Sequence, residues 1–221
     1  YEARPSVQQA ISRINFYDME RDVMCRHRTE SIKITKRDIE KCQEFAKAQL
    51  ETSKDHYARR RQTNPDKIIV DIVTGKLGEI AAARLLRSNE FKNKGPDFQI
   101  YEGRKKSFDA DLSSGKFNFH CKAQNQESAS KYGPSWILQW GGKGHGHVDK
   151  LFKHRDPTDY LIPMLVHEDH VEIFGIIRVD LMFHRDLIKP PAVKWLEDYK
   201  RAIYFEDIKT LSWNERWGIL S

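Results

Sequence analysis

Between residues 117 and 124 the chain alternates strictly, with Phe117, Phe119, Cys121 and Ala123 set against Asn118, His120, Lys122 and Gln124. Successive side chains of a strand point to opposite faces, so this segment predicts one apolar face and a row of four polar groups on the other. The preceding stretch repeats the pattern, with Phe108, Ala110 and Leu112 opposite Asp109 and Asp111. A tight turn around Gly115 joins the two as a hairpin and brings Asp111 near the row carrying His120 and Lys122. FQIY, SWILQW, YLIPMLV and VEIFGIIRV are further strand candidates, the last two flanking the hairpin signal HEDH. Helical spacing appears at Ile39, Cys42, Phe45, Ala46 and Leu50, behind Thr35 as N-cap and Asp38 in the first turn. A second helix is predicted through GKLGEIAAARLLRS, capped by Thr74, with Leu77, Ile80, Ala81 and Leu85 on its buried side. The TNPD segment before it reads as a loop.

These elements divide the chain into a charged, helical N-terminal extension (1–66) and a mixed α/β core (67–221). The core's last forty or so residues, with Pro190-Pro191, Trp195, Trp213 and Trp217, read as a C-terminal packing element. With 39% hydrophobic and 32% charged residues, the 221-residue chain suits one adequate core and has no apolar run long enough to cross a membrane. Its opening, YEARPSVQQA, carries no secretory pattern. Cys25, Cys42 and Cys121 are odd in number and form no C-x-x-C pair, which disfavours a zinc ribbon or a disulfide framework and fits a reducing, intracellular setting.

A net charge of +6 and a pI of about 9.1 favour polyanionic partners only modestly. The chemistry is more pointed. Two carboxylates gathered beside a lysine are costly unless a cation or a substrate uses them. Glu79, next to Gly78 in an otherwise apolar, small-residue helix, reads either as a carboxylate at the edge of the buried stripe, where helix meets sheet, or as a surface glutamate at the helix start. Arg59, Arg60 and Arg61, and Lys143, His145, His147 and Lys150 of a glycine-rich segment, are candidate phosphate contacts. His145 and His147 also resemble half a transition-metal site, which would make a different hydrolase. For the tryptophans, core packing is preferred over base stacking.

A helix with G-x-x-G-E, an aspartate at a hairpin and a strand ending in K-x-Q together resemble the PD-(D/E)XK nuclease superfamily, over residues 74–124. The resemblance implies a restriction-endonuclease-like fold: a central mixed β-sheet flanked by helices, with an α-β-β-β-α-β core. It also implies an endonuclease on duplex DNA that needs Mg2+, with Mn2+ as a substitute, and leaves 3′-hydroxyl and 5′-phosphate ends. A homodimer would reach both strands. Residue by residue, Glu79 and Asp111 match the metal-holding acids, Lys122 the lysine that aids the attacking water, and Gln124 the glutamine two positions on. His120 stands where the family has Glu or Asp; either it substitutes or another acid such as Asp109 compensates. Asp97 of Pro96-Asp97 is the alternate metal aspartate. The rival expectation is a DNA-binding module of the same fold with impaired catalysis.

Overall fold

The computed structural model describes residues 28–59, 63–101, 110–141, 148–149, 151–152 and 156–220. They form a mixed α/β architecture. In chain order the elements are β1 (Glu30–Lys33), α1 (Lys36–Arg59), α2 (Pro65–Ser88), β2 (Leu112–Ser114), β3 (Phe117–Asn125), α3 (Gln126–Tyr132), β4 (Ser135–Gln139), β5 (Asp159–Val166), β6 (His170–Ile173), β7 (Ile177–Arg178), α4 (Val179–His184), β8 (Lys200–Tyr204), α5 (Phe205–Ile208) and α6 (Trp213–Trp217). The main sheet runs β1-β6-β5-β3-β2, with β7 added beside β5; β3 and β5 are parallel and every other pairing is antiparallel. A second, two-stranded sheet pairs β4 with β8.

Helix α2 begins ten residues earlier than the sequence pattern suggests. Asn64, not Thr74, is the N-cap: its side chain accepts from the Lys67 N–H, Pro65 takes the first helical position and Asp66 sits in the first turn. Asn-Pro-Asp therefore starts a helix here, because Pro at that position loses no hydrogen bond and has its φ already set. Thr74 is buried mid-helix. The expected buried stripe, Leu77, Ile80, Ala81 and Leu85, does face the core. Thr35 caps α1 as expected, its hydroxyl and Asp38 bonding reciprocally, and Asp38 also receives two 2.8 Å hydrogen bonds from Arg84 of α2. The N-terminal region is thus helical over α1, but it also contributes β1 to the sheet edge, a strand too short and too charged to be read beforehand.

Of the expected strands, FQIY is not one. Residues 98–101 are irregular, because Asp97 closes a local turn on the Gln99 N–H and the Tyr101 hydroxyl. The β2–β3 hairpin forms around Gly115, whose φ of +58° suits glycine. Strand β5 is buried at all eight positions, as a strand covered on both faces must be. The long VEIFGIIRV run breaks into β6 and β7: Phe174, Gly175 and Ile176 stand opposite only Ile162 and Pro163. Pro163 has no N–H for the ladder, so the bulge falls where pairing is weakest. Fully buried Arg216 of α6 fills the gap, donating twice to the Phe174 carbonyl (Nε at 3.0 Å, Nη2 at 2.6 Å), while the Ile176 N–H donates to the Arg216 carbonyl.

Two cores result. One lies between α1–α2 and the sheet, around Leu77, Leu86, Phe119 and Met164; the other lies between the sheet's opposite face and β4–β8, around Trp136, Leu138, Leu161 and Phe174. Trp217 is buried in the first and Trp213 packs against it, as expected of a packing element, whereas Trp195 is 71% exposed. Among the described residues no helix is long and apolar enough to cross a membrane.

Two measurements check this packing. A Cβ on Gly78 would come within 2.8 Å of Ala123 Cβ, while one on Gly75 meets nothing. Alanine gains about 1 kcal/mol over glycine in a helix, and overpacking costs about 1–3 kcal/mol. Gly75→Ala should therefore raise the urea midpoint and Gly78→Ala lower it; shifts of the same sign would refute the close contact. Burial alone would raise the Asp38 pKa, but Thr35 and Arg84 outweigh it and hold the carboxyl below its ordinary value. A carboxyl depressed on folding stabilises above its unfolded pKa, and that stability is lost as the pH falls through the folded value. Asp38→Asn should cost about 1–2 kcal/mol at neutral pH, and its deficit should vanish in acid below the usual carboxylate range, as read from unfolding curves across the acid limb.

Candidate active site

Strand β3 carries the site because its two faces meet different layers. Phe117, Phe119, Cys121 and Ala123 turn towards α2 and the first core. Asn118, His120, Lys122 and Gln124 share the other face, alongside Asp159, Leu161, Pro163 and Leu165 of β5 by register. The predicted alternation is therefore present, and each polar side chain in the row has its own surroundings.

Asp111 is exposed at the start of the hairpin, and one oxygen accepts the Cys121 N–H at 2.8 Å, extending the β2–β3 ladder by a side chain. Glu79 is mostly buried on α2, where Lys76 Nζ lies 2.6 Å from Oε2; the same ammonium stands 5.3 Å and 5.6 Å over the Phe45 and Phe98 rings. Burial pushes the Cys121 thiol well up; Asp111 and Glu79 push it further, and Lys76 and Lys122 pull it back. The Cys42 thiol is pushed up to about 11, chiefly by burial and then by Asp38 and Glu79, so neither cysteine is primed as a nucleophile.

Lys122 extends to Asp149, its Nζ 3.0 Å from Oδ2. The same carboxylate oxygen accepts the Gln139 N–H at 2.9 Å, and the Asp149 N–H donates back to the Gln139 carbonyl, so the acid is rigidly mounted on the end of β4. His120 is nine-tenths buried. Its Nε2 points at Asp159, 3.5 Å from Oδ2, without a hydrogen-bond partner among the described residues, while Asn118 Nδ2 donates to the other Asp159 oxygen at 2.9 Å. Gln124 clamps the turn after α3, donating to the Gly133 carbonyl and accepting from the Ser135 N–H. Asp149 and Asp159 had no local signal: they lie 27 and 39 residues beyond Lys122 and His120, and only the fold brings each pair together.

The alternate aspartate, Asp97, is exposed with both oxygens engaged in its own turn. Asp109, Arg60, Arg61, Lys143, His145, His147 and Lys150 lie outside the described residues, as does the side chain of Arg59. Among the described residues no three His, Cys, Asp or Glu side chains converge as a metal cage. The donors at hand, Asp111 and Glu79, are hard oxygen ligands of the kind magnesium takes one or two of while keeping its waters. His120, directed at a buried acid, is not part of that set. Beside Lys122 and Gln124 opens a cleft of about 460 Å³, walled by the start of α2, by α3 and by residues 191–196.

Compared with protein-family models, curated proteins and solved structures, the chain matches none.

Asp159 and Asp111 should separate in a stability test. Asp159→Ala removes the acceptor of the half-buried Asn118 amide and the buried carboxylate facing His120, and should cost about 1–3 kcal/mol. Asp111→Ala removes one exposed hydrogen bond and should cost about 1 kcal/mol or less. Equal losses in urea unfolding would mean that Asp111, too, is a structural acid.

Proposed function

We propose that this chain is a magnesium-dependent nuclease of the PD-(D/E)XK, restriction-endonuclease-like class that hydrolyses DNA phosphodiester bonds. The observation that carries this is the order of Glu79 on helix α2, Asp111 at the foot of the β2–β3 hairpin and Lys122 on β3, with Asp111 hydrogen-bonded to the Cys121 N–H one residue before that lysine. The mixed sheet with its parallel β3–β5 pair agrees with such a core, and the net charge of +6 suits a polyanionic substrate.

Asp111 and Glu79 are the residues that would hold magnesium, which when bound neutralises a phosphate oxygen and acidifies a water. The rest belongs to the chain. Lys122 holds its ammonium towards the reacting phosphate and stabilises developing charge at Nζ. Asp149 fixes that ammonium's position. Lys76 offsets the charge of the Glu79 carboxylate in the half-buried space between helix and sheet. His120 takes no part in binding a metal; with Asp159 and Asn118 it stiffens the base of β3. Two copies, each addressing one strand, would suffice for a duplex cut.

The rival reading, a DNA-binding module of impaired chemistry, draws on the same His120, because the acid the family places there is missing. Plasmid cleavage in magnesium separates the two. The parent chain should cut, and EDTA should stop it. Asp111→Asn and Lys122→Ala should each slow cutting by about a hundredfold or more without changing the unfolding midpoint by more than a small step. Salt-sensitive DNA binding with no cutting, in magnesium or manganese, would decide for the binding module.

A further inference from the structure

Five large hydrophobic side chains are well exposed among the described residues, and Tyr132, Ile137 and Trp195 of these five line the same cleft beside Lys122. Scattered surface apolars need no explanation, but three gathered on one concavity do. Trp195 is the most exposed of them, at 71%. It is not on a loose loop. It sits in a short 3-10 turn, Lys194–Leu196, closed by the Leu196 N–H on the Val193 carbonyl. The approach is pinned by the Tyr204 hydroxyl on the Pro190 carbonyl at 2.9 Å and by paired backbone bonds between Lys189 and Ala202. The indole is thus held out on a fixed platform.

The cleft also has cations on two of its walls. Lys67 stands at the start of α2, paired with Asp71 at 3.4 Å, and Lys122 enters from β3. Lys131, next to the cleft, lies 5.2 Å over the Tyr132 ring. A volume of about 460 Å³ is within the usual range for a small organic ligand, and it is far too small for a stacked base pair with its backbones.

Resting on the nuclease reading, we propose that this cleft receives one unpaired nucleotide of the substrate strand, its base stacked on Trp195 and its phosphate towards Lys122. An aromatic platform binds any base through its π-face, but a base inside a duplex already has both faces covered. The cleft therefore selects strands whose bases are free: single strands, gaps, bulges or a nucleotide swung out of the helix. The ligand class is an unpaired nucleotide, and the site needs no particular base sequence.

The test uses the full chain carrying Asp111→Asn, so that binding is measured without cutting, with labelled oligothymidylate, a matched duplex and an abasic single strand read by fluorescence anisotropy. Oligothymidylate should bind more tightly than the duplex. Adding Trp195→Ala should weaken oligothymidylate binding by about tenfold and leave duplex binding within about twofold; Trp195→Phe should restore most of the loss. The abasic strand should bind weakly and be indifferent to Trp195, because the stacked base is gone. Oligothymidylate binding that is unchanged by Trp195→Ala overturns the proposal, as does self-association in sedimentation that Trp195→Ala abolishes, since the occupant would then be a second copy. Plasmid cleavage by the parent chain, run in parallel, keeps the two ideas apart. Cutting without Trp195 dependence sinks only the cleft, Trp195-dependent binding without cutting sinks only the nuclease reading, and absence of both sinks both.

Discussion

Helix α2 lies on strand β3 at a separation only glycine permits, since any side chain at Gly78 would press on Ala123 and on Met164 of the neighbouring strand. Because that contact cannot open by even a methyl group without loss, it fixes the depth of the next residue along the helix. Glu79 is thereby carried into the half-buried space between α1, α2 and β3, where an ionised carboxylate needs a close cation, and Lys76 supplies one a turn away. The same contact presses the apolar face of β3 flat, so that its opposite row must face the second layer. One close approach thus sets both the position of the helix acid and the outlook of the polar row.

The second layer then decides which members of that row are buried and which meet the cleft. Near the start of β3, half-buried Asn118 donates to Asp159 and buried His120 stands 3.5 Å from the same carboxylate, so their polarity is directed inward. Further along, the layer thins, and Lys122 and Gln124 meet the cleft. What holds this layer down is a set of single hydrogen bonds at irregular points. Trp136 of β4 donates its indole N–H to the Met164 carbonyl, and Arg216 fills the bulge opposite Pro163. Proline in a central strand would ordinarily cost a ladder bond, but here the freed Phe174 carbonyl becomes the socket that ties α6 to the sheet.

Features whose signal is local were legible in the sequence. The alternation of β3, the hairpin at Gly115, the buried stripe of α2 and the apolar runs of β5 and β6 each follow from periodicity within a few residues. Asn64 and Pro65 carried a helix-start signal as clear as any, but Thr74 and the loop-like composition around them competed, and capping geometry decided for the asparagine. FQIY had strand composition yet lost to the turn that Asp97 builds from its own neighbours. Of the candidate site, the helix carrying Glu79, the turn after Asp111 and the strand carrying Lys122 were legible from local pattern. Asp149 and Asp159 were not, since pairing across a parallel crossover leaves no trace in local pattern, and Trp195's exposure depends on a platform assembled from residues well apart in the chain.

His120 is best understood through charge. With a carboxylate at that position, the row on β3 would place its negative charge against Asp159, which is buried 3.5 Å from the imidazole. Two buried carboxylates at such a distance would force one to take up a proton or the strand to shift. A histidine there removes the conflict and leaves Asp159 free to anchor Asn118. The negative charge that Lys122 requires then comes from outside the strand, through Asp149 on the end of β4, where the surroundings are wetter and a charged pair is cheaper to keep. A neutralisable group beside Asp159 and a carboxylate beside Lys122 thus form one electrostatic balance, in which the lysine has an acidic partner. Asp149 thereby fixes the ammonium of a lysine whose side chain also lines the cleft.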